Sequence, residues 1–250
     1  MPRFSSPLQH LGSQACTLIL RMEPAKSIPG YQVKFQQVAV SGGAQLEIRS
    51  LLDRQQYSDP LGEAEAAGIS PACWSLFGQV WPSEQKLADL MQTWVLAEHH
   101  ILEIGCGLAL ASMVIHRRHG NITASDCHPL AKTFLHANLL LNHLPELKYT
   151  TGNWQTSNPG LGRFDLIIGS DILYERDQPA QLATFIQAHA TSNVDVLIID
   201  PNRSNRSAFN HNMAQLGFTH SETKINTPLN DGTPYRGRLL RYQRSITTPA

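Results

Sequence analysis

The chain has 250 residues, with 20 Lys plus Arg against 20 Asp plus Glu and 42% hydrophobic residues. That length buries a full core in one large or two small domains. Zero net charge argues against nucleic-acid binding driven by bulk charge, though not against a local basic patch.

The four cysteines, Cys16, Cys73, Cys106 and Cys127, form no Cys-x-x-Cys pair, and free thiols in a reducing compartment are expected. The histidines include no His-Glu-x-x-His arrangement, so no metal site is expected. No apolar run approaches the ~20 residues that span a bilayer. Ala15 to Leu20 is too short and mixed for the core of a signal peptide. A cytoplasmic protein is the expectation. Met22 offers an alternative start, which would make residues 1–21 a loose tail.

Residues 1–30 hold Ser, Pro and Gln without periodicity and are expected to be disordered. Tyr31, Val33 and Phe35 then alternate, Val38 and Val40 follow, and Gly42-Gly43 separates them from Leu46 and Ile48. That pattern predicts a β-hairpin. Residues 59–72 carry Pro60, Gly62, Gly68 and Pro71 around a short Ala/Glu helical turn, and read as a connector; 31–72 is thus one unit and 73–250 the main domain. Pro82 and Ser83 open a helix whose Leu87, Leu90, Met91 and Trp94 make an apolar stripe. Trp74 and Trp81 lie before it in a glycine-bearing loop, and core packing accounts for Trp74.

Ile101 to Ile104 is a short apolar strand carrying Glu103. Gly105 and Gly107 follow, Leu108 to His119 reads as a helix, and Asn121 to Ser125 as a second strand. Asp126 stands at its end, 21 residues after Gly105. Strand, glycine turn, helix, strand and acid make the first half of a nucleotide-binding βαβ unit. Glycine admits the unusual dihedrals of the turn and lets a ligand approach the backbone. The acid is placed to accept hydrogen bonds from ribose hydroxyls. Leu110 stands where the dinucleotide fingerprint has its third glycine or alanine, which disfavours a nicotinamide cofactor.

Pro129 suits a first helical turn. Leu130, Phe134, Ala137, Leu141 and Leu144 then recur every three or four residues, a helix packed on the sheet, with Asn138 and Asn142 on another face. Residues 147–152 read as a third strand before Asn153-Trp154. Phe164 to Ser170 is a fourth, apolar through Ile168 and so buried on both faces. Asp171-Ile-Leu-Tyr174 ends it. A helix over 178–190, a strand over 194–199 ending in Asp200-Pro-Asn-Arg203, and a helix over 204–216 follow. Two strands, 218–225 and 238–244, close the chain without a helix between them. The alternation predicts an α/β, doubly wound, mostly parallel sheet with helices on both faces. In such a sheet ligands sit at the carboxyl ends of the strands, near the switch in strand order. The glycine turn, Asp126, Asn153, Asp171 and Asp200 all fall there.

Glu103-x-Gly105-x-Gly107-x-Ala109 resembles motif I of class I, seven-β-strand methyltransferases, with Ala109 in place of the usual third glycine. Gly78-x-x-Trp81-Pro82-Ser83 looks like the element ahead of motif I in the methyltransferase-16 family of protein-lysine methyltransferases, the glycine one residue nearer the tryptophan. Asn153-Trp154 resembles that family's Asp-Trp after the third strand, and Asp171-x-x-Tyr174 its Asp-x-x-Tyr after the fourth. The resemblance covers Trp74 to Arg203. It implies a Rossmann-like, seven-stranded fold with an antiparallel last insertion, and S-adenosylmethionine as cofactor. Trp81, Glu103, Gly105, Gly107, Asp126, Asn153, Trp154 and Ser170 would bind it, and Asp171 and Tyr174 would be catalytic.

The implied reaction is N-methylation of a lysine side chain in a protein. Transfer needs a neutral nitrogen held in line with the methyl–sulfur bond. A lysine, with a free pKa of ~10.4, must first lose a proton, and desolvation in an aromatic mouth favours that. Aromatic walls also attract cationic groups. A small-molecule nitrogen or oxygen acceptor is the alternative, and a non-catalytic nucleoside-binding module is the reading from another class. Neither a nucleic-acid partner nor a membrane is expected, and the chain is expected to be a monomer.

Overall fold

The computed structural model describes residues 30–245. The expectations for the tail before residue 30, for Cys16 and for Met22 lie outside them. The chain opens with an antiparallel hairpin of β1 (Val33–Val38) and β2 (Leu46–Leu51), then a short α1 (Glu63–Ala66), a 3-10 turn (Trp74–Gly78) and α2 (Pro82–Thr93). After that, strands and helices alternate: β3 (His100–Ile104), α3 (Leu110–Arg117), β4 (Asn121–Ser125), α4 (Ala131–Leu141), β5 (Lys148–Tyr149), β6 (Phe164–Ser170), α5 (Gln178–His189), β7 (Ala190–Asp200) and α6 (Arg206–Gln215). The chain closes on β8 (Thr219–Ile225) and β9 (Gly237–Ser245).

The seven strands from β3 onward form one sheet in the order β5-β4-β3-β6-β7-β9-β8. The pairs from β5 to β7 are parallel, and β9 enters between β7 and β8 antiparallel to both. The strand order reverses between β3 and β6. This is the Rossmann-like, mainly parallel seven-stranded sheet with an N-terminal hairpin that the alternation and the resemblance anticipate. Helices cover both faces, as parallel strands buried on both sides require. One apolar layer unites β3 with α2, α3, α4 and the hairpin; the other lies beneath α5 and α6.

Three elements differ from the sequence reading. The third strand shrinks to Lys148 and Tyr149, an edge strand with only β4 beside it. The fifth begins at Ala190 rather than at Val194, because Ala190 pairs with Phe164 across an irregularity that the polar Thr191–Asn193 run hides. Helix α3 has no solvent face along Leu110–Ile115; it is wedged between the sheet and α2, which is why its stripe is indistinct. Asn138 and Asn142 have a shared task. Asn138 Oδ1 accepts the Arg49 N–H at 2.7 Å, and Asn142 Oδ1 accepts that of Glu47 at 2.9 Å, while Asn142 Nδ2 donates to the Glu47 carbonyl at 2.8 Å. These amides satisfy the free edge of β2 and clamp the hairpin to α4. Among the described residues no helix is long and apolar enough to cross a membrane.

Candidate active site

A cavity of about 400 Å³ opens at the carboxyl ends of β3, β4, β5, β6 and β7, beside the reversal in strand order. Its floor is the glycine turn after β3. Gly105 and Gly107 have φ of +57° and +50°, the left-handed region that glycine enters without strain. Each glycine also makes room for protein. A Cβ on Gly107 would lie 2.9 Å from the Phe77 carbonyl oxygen, and one on Gly105 would lie 2.9 Å from Ile172 and 3.4 Å from the Trp154 ring. Ala109, in place of a third glycine, also sits at φ +62° and caps the start of α3.

Asp126 leaves β4 beside this turn. Its two carboxylate oxygens accept the Gly107 N–H at 2.9 Å and the His128 N–H at 2.8 Å. The side chain thus fixes the turn while lining the cavity, and each oxygen keeps a lone pair. Burial pushes its carboxyl above the usual range, and the amide bonds oppose that shift.

Trp81 borders the cavity with its indole N–H on the Leu76 carbonyl at 2.8 Å and the Arg54 guanidinium over its ring. Trp154 lies over Gly105. The Asn153 amide lines the cavity but is engaged at both ends: Oδ1 accepts the Gln155 N–H at 2.9 Å and Nδ2 donates to the Ala67 carbonyl at 3.0 Å. It ties the loop after β5 to the connector after α1. Ser170 ends β6 on the cavity wall.

Asp171 follows it in a left-handed conformation, φ +54°, unusual for a residue other than glycine. Arg203 reaches it from the end of β7. Its Nε and Nη2 both lie 2.7 Å from Oδ1 of Asp171, and Oδ2 makes no bond among the described residues. Tyr174, 40% exposed, stands at the mouth beside Gln178. Glu175 accepts the Cys73 thiol at 3.3 Å.

Glu103 does not line the cavity. It is 1% exposed, and its carboxyl accepts the backbone N–H of Ser112 at 2.8 Å and the Ser112 hydroxyl. Its place is behind the turn, binding β3 to the first turns of α3. Burial, opposed by those two bonds, pushes its pKa up to about 7.

Two cavity residues escaped the sequence reading. Glu84, in the first turn of α2, accepts the Leu110 N–H at 3.1 Å and the N–H of Trp81. One carboxyl thereby caps α2 and satisfies an orphan donor of α3. An acid three residues after the helix-opening Trp81 was the available signal. His128 is stacked on Phe77 with ring centres 3.7 Å apart, and its Nδ1 accepts the Leu130 N–H at 3.2 Å. Burial lowers its pKa to about 3, so the ring is neutral with its proton on Nε2. Burial also pushes the Cys106 and Cys127 thiols up, Cys127 to about 12, so neither is a thiolate. Trp74, 1% exposed against Tyr31 and Phe77, is core packing.

Residues 68–215 match the family model described as lysine methyltransferase. The electron transfer flavoprotein beta subunit lysine methyltransferase of Mus musculus is 29% identical over 171 residues, which cover 66% of this chain and 60% of that protein. The chain therefore aligns with about three fifths of that relative's length. Among solved structures, a methyltransferase from Pyrococcus furiosus superposes with TM-score 0.54 at 15% identity, covering 67% of this chain and 88% of that one. A magnesium protoporphyrin IX methyltransferase from Synechocystis with bound S-adenosylmethionine superposes with TM-score 0.52 at 16% identity, covering 67% and 86%. At such identities these two likenesses speak to the fold.

Proposed function

Because the chain belongs to the lysine methyltransferase family, we propose that it transfers a methyl group from S-adenosylmethionine to a lysine side chain of a protein. One observation carries the proposal. Asp126 and Asp171, at the ends of β4 and β6 on either side of the central strand β3, line one cavity across the left-handed glycine turn.

The residues fit the cofactor. The volume of about 400 Å³ lies in the range of small-molecule sites. Asp126 keeps acceptor capacity for two hydroxyls, the glycine backbone permits close approach, and Trp81 and Trp154 offer apolar walls. When bound, S-adenosylmethionine supplies an electrophilic methyl on a sulfonium.

Asp171 presents Oδ2 to the incoming amine and accepts one of its N–H groups, which fixes the nitrogen's direction of approach. Arg203 holds Oδ1 and so locks the carboxylate orientation. Glu175 adds a second carboxylate at the mouth and favours arrival of the ammonium. Tyr174 stays protonated, since partial burial raises its phenol, and its ring face offers cation–π contact to the arriving lysine. The lysine gives its proton to bulk water at the exposed mouth before transfer, and desolvation of the nitrogen as it enters the cavity disfavours the ammonium.

The test is direct. The purified chain is incubated with methyl-labelled donor and a cell lysate, and labelled lysines are identified by mass spectrometry. Asp126→Ala is expected to lose S-adenosylhomocysteine binding, and Asp171→Ala to keep binding and lose transfer. Stabilisation by NAD and not by S-adenosylhomocysteine would overturn the reading.

A further inference from the structure

A second depression, a groove of about 950 Å³, lies between the end of β7, the start of α6 and the β8–β9 hairpin. Among the described residues five cations line it, Arg203, Arg206, Lys224, Arg236 and Arg238, and no acidic one. In a chain with equal numbers of acids and bases, that is a marked local segregation.

Neighbouring carboxylates neutralise only part of it. Glu222 answers two of the cations, Arg206 at 3.3 Å and Arg238 at 3.2 Å, and Asp171 answers Arg203. Lys224 and Arg236 are exposed and make no ion pair among the described residues. Lys224 also stands directly across β8–β9 from Arg238. Like charges facing each other across a strand pair cost stability, so the fold bears this juxtaposition rather than gaining from it.

The groove is continuous with the active site, because Arg203 lines both. The two openings differ in character: the carboxylates of Asp171 and Glu175 lie at the mouth of the cavity, and the charged residues described along the groove beside it are all cationic. A lysine with acidic neighbours matches that pair of surfaces. Nucleic acid matches less well. The one aromatic residue of the groove, Tyr235, is 6% exposed with its hydroxyl bonded to Ser83 at 2.9 Å, so no free ring face is offered for base stacking.

Taking the reading of the chain as a protein-lysine methyltransferase as its premise, we propose that this groove docks an acidic segment of the substrate polypeptide, next to the lysine presented to the cavity. Arg236 and Lys224 are the specificity-determining residues, and Arg203 marks the junction between docking and transfer.

The test uses the full chain saturated with S-adenosylhomocysteine and a fluorescein-labelled peptide in which glutamates flank one lysine. A matched peptide has glutamines instead. Anisotropy is expected to show about tenfold tighter binding of the acidic peptide, weakening with salt, and loss of about that factor in the double variant Lys224→Glu, Arg236→Glu. The variant's thermal stabilisation by S-adenosylhomocysteine should be unchanged, which shows that the fold and the cavity are intact. Equal binding of the two peptides, or binding indifferent to the charge reversal, overturns the proposal. So does a single-stranded oligonucleotide that binds more tightly than the acidic peptide and is lost in the variant. A transfer arm separates the two claims. Charge-dependent peptide binding without methyl transfer to any lysine would sink the enzymatic reading and leave the groove. Transfer with equal KM for both peptides in wild type and variant would sink the groove and leave the enzyme.

Discussion

Arg203 places two nitrogens, Nε and Nη2, each 2.7 Å from a single oxygen of Asp171. The pairing is one-sided, and the other oxygen has no partner among the described residues. Arg203 is itself set by Asp200, whose Oδ1 accepts the Arg203 backbone N–H at 2.8 Å at the end of β7. A buried acid at one strand end thus orients a base, which orients a second acid at the neighbouring strand end.

This chain predicts an ordering of variants. Asp171→Asn removes the charge proposed to receive the amine and is expected to lower kcat about a hundredfold. Arg203→Ala keeps the charge and loses only its orientation, so a smaller loss of about tenfold is expected. Affinity for S-adenosylhomocysteine should not change in either. Steady-state kinetics with isothermal titration calorimetry check it; an Arg203→Ala loss equal to that of Asp171→Asn would refute the division of roles.

Gly107 carries a stability prediction. Alanine there must hold φ at +50° and place its Cβ 2.9 Å from the Phe77 carbonyl oxygen, a backbone atom that no side-chain rotation can move away. The expected cost is roughly 2 kcal/mol or more. Gly160→Ala is the control, since a Cβ there meets nothing within 4 Å. Thermal melts should separate the two variants clearly; identical midpoints would show that the turn has slack.

The sequence makes the architecture legible because hydrophobic patterning is local. The apolar run Leu166–Ile168 within Phe164–Ser170 and the three-and-four spacing after Pro129 each needed no knowledge of distant residues. The glycine turn with Asp126 was legible for the same reason, as a motif of fixed spacing. What the sequence concealed depends on distant partners. Glu103 reads as a site acid, yet its carboxyl meets Ser112 behind the turn. Asn153 reads as a ligand acceptor, yet its amide is bound to Gln155 and Ala67. For Glu84 the sequence offers only a helix-cap signal, because its bridge from the start of α2 to the start of α3 appears only once both helices meet. The segregation of five cations at one groove is likewise invisible in a chain whose total charge is zero.

The clamp on the hairpin is a further point of measurement. Asn138 is fully buried, and its Oδ1 accepts the Arg49 N–H at 2.7 Å. Asn138→Ala leaves that donor unpaired inside the protein, at an expected cost of about 1–3 kcal/mol. Because Asn138 does not line the cavity, donor affinity should survive. Hydrogen exchange should quicken in β2 and stay slow in β3; uniform quickening would mean that the hairpin is not a separate unit of stability.

Stability should also depend on pH through the acids packed behind the glycine turn. Glu103 faces Ser112 directly, and Asp126 and Glu84 lie close enough to act on the turn's acids. Burial raises all three carboxyls, Glu103 from 4.5 to about 7. A carboxyl whose pKa is higher folded than unfolded binds its proton more tightly in the fold. Its contribution is therefore fully present below about pH 4.5 and is lost as pH rises towards about 7. For Glu103 alone the loss is on the order of 3 kcal/mol, from a shift of 4.5 to about 7 in which its two bonds from Ser112 already count. The ligand-free chain should melt at a lower temperature at pH 8 than at pH 5, apart from groups that titrate elsewhere. Glu103→Gln keeps an acceptor for Ser112 and removes the titration. It is expected to flatten that slope and to melt above wild type at pH 8. A variant that keeps the wild-type slope would place the dependence on Glu84 or Asp126 instead, which Glu84→Gln then resolves by the same measurement.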